Sequence, residues 1–208
     1  MPQTNITVTI ENLAPENGTF ITPTWVGFHN GEFDLYDHNK PASLGLESLA
    51  EDGDTVGMSA EFINSGSGTV DGTLVGIDGV EEVIDPGESV SQTFTLNSDD
   101  PNSRFFNYAS MVIPSNDNPT SIPVFDEEGN FISADLVIAG DQVLDAGVEV
   151  NDEAESNTAF LGQTEPNTGT TASGVVRTHS GLKSKGRILS SSDFANADFT
   201  ADNYNVAR

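Results

Sequence analysis

The residues best equipped for chemistry are oxygen donors grouped around glycine and asparagine. The run Asp145-Ala146-Gly147-Val148-Glu149-Val150-Asn151-Asp152-Glu153 sets carboxylates and an amide about a glycine, so the backbone can turn and offer carbonyls as well. Ser115-Asn116-Asp117-Asn118 forms a second cluster directly after an apolar run, where the core can hold a loop rigidly. Two such loops meeting at one end of a β structure can supply the roughly 6 to 8 oxygens that calcium takes. The same residue types also make ordinary turns, and neither cluster has the spacing of an EF-hand or of a glycine-rich nonapeptide repeat. Spacing alone leaves both readings open. A third acidic group, Glu32, Asp34 and Asp37, alternates with Phe33, Leu35 and Tyr36 as a solvated strand edge does.

Signatures of catalysis are missing. The sequence has no HExxH, no GxSxG, no phosphate-cradling GxxxxGK[ST], no cysteine nucleophile, and only His29, His38 and His179 as imidazoles. His29 and His38 read as polar packing in a loop-like stretch. With 33 acids in the chain, carboxylate pairs at the roughly 5 to 9 Å of a glycosidase arise by chance and carry no specificity. The expectation is a protein that is not an enzyme.

Charge narrows the partners. Thirty-three acids against seven bases give a formal net charge of -26, a field that repels phosphate backbones and anionic head groups and attracts hard cations. Nucleic acid is therefore not an expected partner. The bases are unevenly placed: only Lys40 and Arg104 precede residue 177, whereas Arg177, Lys183, Lys185, Arg187 and Arg208 follow, so a slightly basic C-terminal segment trails a strongly acidic body. That asymmetry supplies an alternative role, a structural subunit that self-assembles head to tail without a metal, and makes a homo-oligomer conceivable.

The positioning elements are mostly strands. Period-2 alternation runs through Ile6, Val8 and Ile10, through Val56, Met58, Ala60 and Phe62, and through Val90, Phe94 and Leu96. Ala109 to Ile113 is continuously apolar, as in a central strand covered on both faces, and Pro114 ends it. Ile122 to Phe125 and Phe131 to Ile138 flank Asp126-Glu127-Glu128-Gly129-Asn130, the clearest hairpin. Pro41 to Ala50 reads as a helix stopped by Gly53, and Asp193 is placed to start a further helical turn. The 208 residues show no domain boundary, so a single domain over 1–208 is expected, with 177–208 packed on or trailing it. Many short strands with glycine and proline turns and one or two short helices predict an all-β, antiparallel β-sandwich; a closed barrel is the alternative. No apolar run approaches the ~20 residues of a membrane span, and Met1 to Asn5 shows no secretion signal.

Several ordered segments resemble one family. Trp25-Val26-Gly27-Phe28-His29-Asn30-Gly31, Phe33-Asp34-Leu35-Tyr36-Asp37, Pro41-Ala42-Ser43-Leu44 and Leu49-Ala50-Glu51-Asp52-Gly53 together look like the spondin N-terminal domain family in its bacterial, cysteine-free form. Ala109 to Asp117 resembles that family's S-M-[VI]-x-P-S-x-D segment, Asp145 to Glu149 its D-A-G-T-[DE] segment, and Ala197-Asp198-Phe199-Thr200 through Arg208 its ending. Asn118 stands where animal members usually have tryptophan, and Val148 where the family commonly has threonine. The resemblance implies a C2-like sandwich, found in animal relatives as an extracellular-matrix and adhesion module with bound calcium. It carries the metal-ligand role onto Asp117, Asp145 and Glu149, with a structural Ca2+ pinning two loops. It further implies an extracellular or cell-surface setting and a protein or matrix ligand.

Overall fold

The computed structural model describes residues 3–77, 82–113, 115–116, 121–165 and 168–208. The chain runs β1 (Gln3–Glu11), β2 (Phe20–Ile21), β3 (Thr24–His29), α1 (Leu44–Asp52), α2 (Val56–Ser65), β4 (Gly68–Leu74), β5 (Ser89–Asn97), β6 (Phe105–Ala109), β7 (Met111–Ile113) and β8 (Ser115–Asn116). It continues through β9 (Ile122–Pro123), β10 (Ile138–Ala139), β11 (Leu144–Asp145), β12 (Arg177–Thr178), α3 (Arg187–Ser190) and β13 (Asn205–Ala207). All pairings are antiparallel, and the sheets are open: β4-β3-β6-β9, β12-β11-β8-β7-β2, and the pairs β1-β5 and β10-β13. The fold is β-rich, with few and short helices.

β3 is the strand on which the layers meet, because every residue from Thr24 to His29 is buried. Its side chains alternate between two cores, as strand geometry requires. Val26 and Phe28 face Ile6 and Ile10 of β1 and Val90, Phe94 and Leu96 of β5. Trp25 points the other way, into a cluster with Phe33, Leu35, Leu46, Leu49, Met58 and Phe62, where the two helices cover the sheet. Gly27 is obligatory between them: a Cβ there would stand 2.5 Å from the Trp25 ring. The absent side chain leaves room for Trp25 and Phe62 to meet edge to face at 5.3 Å.

α1 forms where its punctuation predicts it. The Ser43 hydroxyl accepts the Leu46 N–H at 3.2 Å, and Gly53 closes the helix at φ 69. The Glu61 carboxylate accepts the Gly45 N–H at 2.7 Å, placing a negative charge at the positive end of α1.

Several expectations from the sequence are corrected. Val56, Met58, Ala60 and Phe62 lie in a helix: Asp54 accepts the Val56 N–H, Gly66 ends the helix at φ 69, and only Met58 and Phe62, one turn apart, are buried. An alternation of that length satisfies both periods, and burial of the i, i+4 pair decided it. The apolar run Ala109 to Ile113 breaks at buried Ser110, where the chain leaves β6 in one sheet and enters β7 in another. The Asp126–Asn130 turn exists, with Gly129 at φ 79 and a Phe125–Phe131 bridge, but the strand expected after Phe131 is irregular until Ile138. Glu32 to Asp37 is a loop that buries Phe33 and Leu35, not a strand edge. His29 is a core residue at the end of β3, its Nδ1 accepting the Gly31 N–H at 3.0 Å. Asp193 opens a turn, while the short helix lies at α3, just before it. Pro114, Asp117 and Asn118 lie outside the described residues.

The helical assignment of α2 makes a direct prediction. Phe62→Ala should cost about 3–5 kcal/mol by denaturant unfolding, whereas Val56→Ala, at a position 72% exposed, should stay within about 0.5 kcal/mol. Equal costs at the two positions would restore the strand.

Candidate functional site

The 145–153 loop leaves the sheet from β11, which pairs with Arg177 and Thr178 of β12 on one side and with Asn116 of β8 on the other. The chain leading to Asp117 thus lies beside the strand that carries Asp145. The loop then lies against residues 170–175: Val150 N–H donates to the Thr170 carbonyl at 2.9 Å, Ala172 N–H to the Val148 carbonyl at 2.6 Å, and Gly174 N–H to the Gly147 carbonyl at 2.8 Å. Gly147 adopts φ 73, and a Cβ on it would stand 2.6 Å from the Val175 nitrogen, so the close approach depends on glycine.

Asp145 is buried, 4% exposed, and its carboxylate is fully engaged. Oδ1 accepts the Gly147 N–H at 2.8 Å; Oδ2 accepts from Asn151 Nδ2 at 3.0 Å and from Arg177 Nε and a terminal guanidinium nitrogen at 3.2 and 3.0 Å. Arg177 is the counter-ion that permits a buried carboxylate here. Its own side chain is 65% exposed, so the desolvation in this pair falls on Asp145 and not on the guanidinium.

Glu149 sits differently. Its carboxylate lies against Gly169, where a Cβ would overlap it, and accepts the Gly169 N–H. Burial, then the charge of Asp52, holds its carboxyl above the usual carboxylate range. Across the cleft, Glu51 lies in the last turn of α1 and is pushed up to about 7 by burial and by the charges of Glu149, Glu47 and Asp52. α1 aggravates this, because its last turn holds acids and no base at the negative end of the helix dipole. Further round the rim, Glu153 accepts the Lys183 N–H at 2.7 Å through Oε1, while its buried Oε2 has no hydrogen-bond partner among the described residues. Burial lowers the His179 imidazole, against the pull of Asp145 and Glu153, and its Nδ1 accepts the Gly181 N–H. These groups line a cleft of about 220 Å³.

Of the three ligands implied by the resemblance, Asp145 and Glu149 therefore line one cleft but are held by different partners, and Asp117 lies outside the described residues. Among the described residues, no three acidic or imidazole side chains stand close enough together to hold a metal ion as placed. The donors in the cleft are of the kind a hard cation takes, carboxylates and amides, and neighbouring acids add to the burial that raises Glu51. Glu51 and Asp52 carry no metal-binding spacing in the sequence. Their tie to Glu149 exists only because α1 ends beside the loop. No protein-family model matches the sequence, and no curated protein matches it.

Glu51 gives the cleft a pH signature. Its folded pKa, about 7, lies above the ordinary 4.5, so between those values the folded state holds a proton that the unfolded chain has released. The stabilisation is complete below about 4.5 and is lost as pH rises through 7. Glu51→Gln should accordingly match wild type in melting temperature at pH 4 and exceed it at pH 8. A variant that melts lower at pH 8 would show that the carboxylate is stabilising as an anion.

Proposed function

We propose that the chain is a non-enzymatic, calcium-binding interaction module with a C2-like β-sandwich fold of the spondin N-terminal kind, acting outside the cell or at its surface on a protein or matrix ligand. One observation carries the cation reading: Glu51 is pushed up to about 7 by burial and then by the charges of Glu149, Glu47 and Asp52, so a divalent cation would relieve the part of that shift that is repulsion between acids. The fold reading is supported by antiparallel β pairing and by one core shared between β1-β5 and the β3 sheet. Among the described residues no helix is long and apolar enough to cross a membrane.

Asp145 and Glu149 would hold the ion, with Asp117 added by the resemblance; Glu51 and Asp52 contribute charge from the end of α1. When bound, the ion supplies charge neutralisation and no reactive chemistry. The chain's own residues do the rest: Asp145 exchanges its Arg177 contact, Glu51 loses its proton, and the 145–153 loop is fixed against α1. Head-to-tail assembly through the basic segment is the weaker reading, because Arg177 and Arg208 already pair with Asp145 and Asp135 of the same chain.

The test is thermal unfolding after chelation, with Ca2+ or Mg2+ titrated back onto wild type, Asp145→Asn and Glu149→Gln. Calcium at about 1,000 times its dissociation constant should add roughly 4 kcal/mol to the wild type and far less to either variant. Calorimetry at pH 6.5 in buffers of different ionisation enthalpy should also register protons released on binding. A melting temperature indifferent to calcium would sink the reading.

A further inference from the structure

A second feature lies away from the acidic cleft and depends on none of its residues. β1 pairs with β5 along one edge only. Two bonds fix which backbone groups face the other edge: Asn12 N–H donates towards β5, to the Glu88 carbonyl, whereas Glu11 N–H donates the opposite way, to the Arg208 carbonyl. Strand alternation then points the N–H and C=O groups of Asn5, Thr7 and Thr9 along the Glu11 edge. Among the described residues, nothing bonds to those groups. The strand from Gln3 to Ile10 has no charge, proline or bulge to guard that edge.

The edge is already used once, in miniature. β13 lies between β10 and the end of β1: Ala207 pairs with Ile138 on one side and bridges Asn12 on the other, and Arg208 exchanges backbone bonds with Glu11 at 2.9 Å both ways. Beyond Arg208 the same slot continues, bounded by β1 and by the irregular 132–137 segment. It opens into a groove of about 490 Å³ floored by Ile6, Val8, Phe106 and Tyr108 and walled by Phe131 and Leu136. Phe131 is 51% and Leu136 43% exposed, so apolar surface on the wall stands unburied.

We propose that this groove binds an extended, positively charged peptide segment of a partner protein, added as a strand to the free edge of β1. Backbone pairing would come from Asn5, Thr7 and Thr9, and alternate side chains of the peptide would enter the apolar floor, as in strand addition generally. Charge selects the class of occupant. The chain carries -26 overall, and Glu11 and Asp135 at the groove outnumber Arg208, which a bidentate contact at 2.8 and 2.7 Å already ties to Asp135. A second copy would bring the same negative charge, whereas a basic segment is steered in.

The probe is a fluorescein-labelled Lys-Val-Lys-Val-Lys-Val-Lys peptide, titrated by anisotropy with a chelator present. Its control is the same peptide N-methylated on the three valines, which keeps charge and side chains but removes backbone donors. Saturable binding is expected, weakened about tenfold or more by N-methylation, with slowed hydrogen exchange at the Thr7 and Thr9 amides. Thr7→Pro, which removes an edge donor and spares the backbone bonds to β5 at the cost of the exposed Thr7–Thr93 hydroxyl pair, and Val8→Phe, which adds bulk to the apolar lining, should each weaken it comparably. The proposal is overturned if the probe does not bind, if the methylated peptide binds equally, or if the Thr7 and Thr9 amides exchange unchanged. It is equally overturned if the free protein sediments as a dimer that Thr7→Pro converts to monomer, since a second copy then holds the edge.

Discussion

The constraint on which the structure rests is the two-sided burial of β3. A strand buried on both faces has no solvated side to set its register, so shape must do it. Gly27 does so here: with no side chain, it lets the Trp25 ring fold over the strand against Phe62, and this fixes where α2 crosses the sheet. α1 follows, because Gly45 and Gly57 bring the helices so close that a Cβ on Gly45 would stand 2.8 Å from the Gly57 carbonyl carbon. The position of α1 in turn places Glu51 and Asp52. The acidic cleft thus depends on how Trp25 is accommodated in the core that α1 and α2 cover.

That dependence explains why the cleft is crowded with like charge. An acidic side chain at the C-terminal end of a helix is disfavoured on its own. Here two of them approach a loop that carries Glu149 and Asp152. The neighbouring Asp145 shows the opposite solution, a carboxylate buried but matched by Arg177, Asn151 and a backbone N–H. Within one cleft the fold gives Asp145 an arginine counter-ion, while neighbouring acids raise the carboxyl of Glu51 beyond what burial does alone. It is this uneven compensation that the proposed cation would relieve.

How much of this was legible in the sequence follows from the range of the interactions. α1 was readable because Ser43 and Gly53 mark its ends by local chemistry. α2 is not legible in the sequence because Val56, Met58, Ala60 and Phe62 fit a strand as well as a helix, and the deciding fact, which of them meets Trp25, is tertiary. The oxygen-rich loop around Gly147 was visible as a loop, but its partner Arg177 stands 32 residues away and no spacing rule connects them. The free edge of β1 was equally hidden: alternation revealed the strand, and nothing in it told which neighbours it lacked.

The basic C-terminal segment acquires a different meaning once its contacts are seen. Arg177, its first residue, pairs with Asp145 in the acidic cleft, and Arg208, its last, pairs with Asp135 at the mouth of the β1 groove. Both guanidinium groups are more than half exposed, so burial does not distinguish the two pairs on the arginine side. What differs is the carboxylate left behind. Asp135 is itself largely exposed and would simply be hydrated, whereas Asp145 is buried and would demand another positive charge in place of the one it lost. The two ends of the segment therefore differ in kind: breaking the groove pair would leave a hydrated carboxylate, whereas breaking the cleft pair would leave a buried one without its counter-ion.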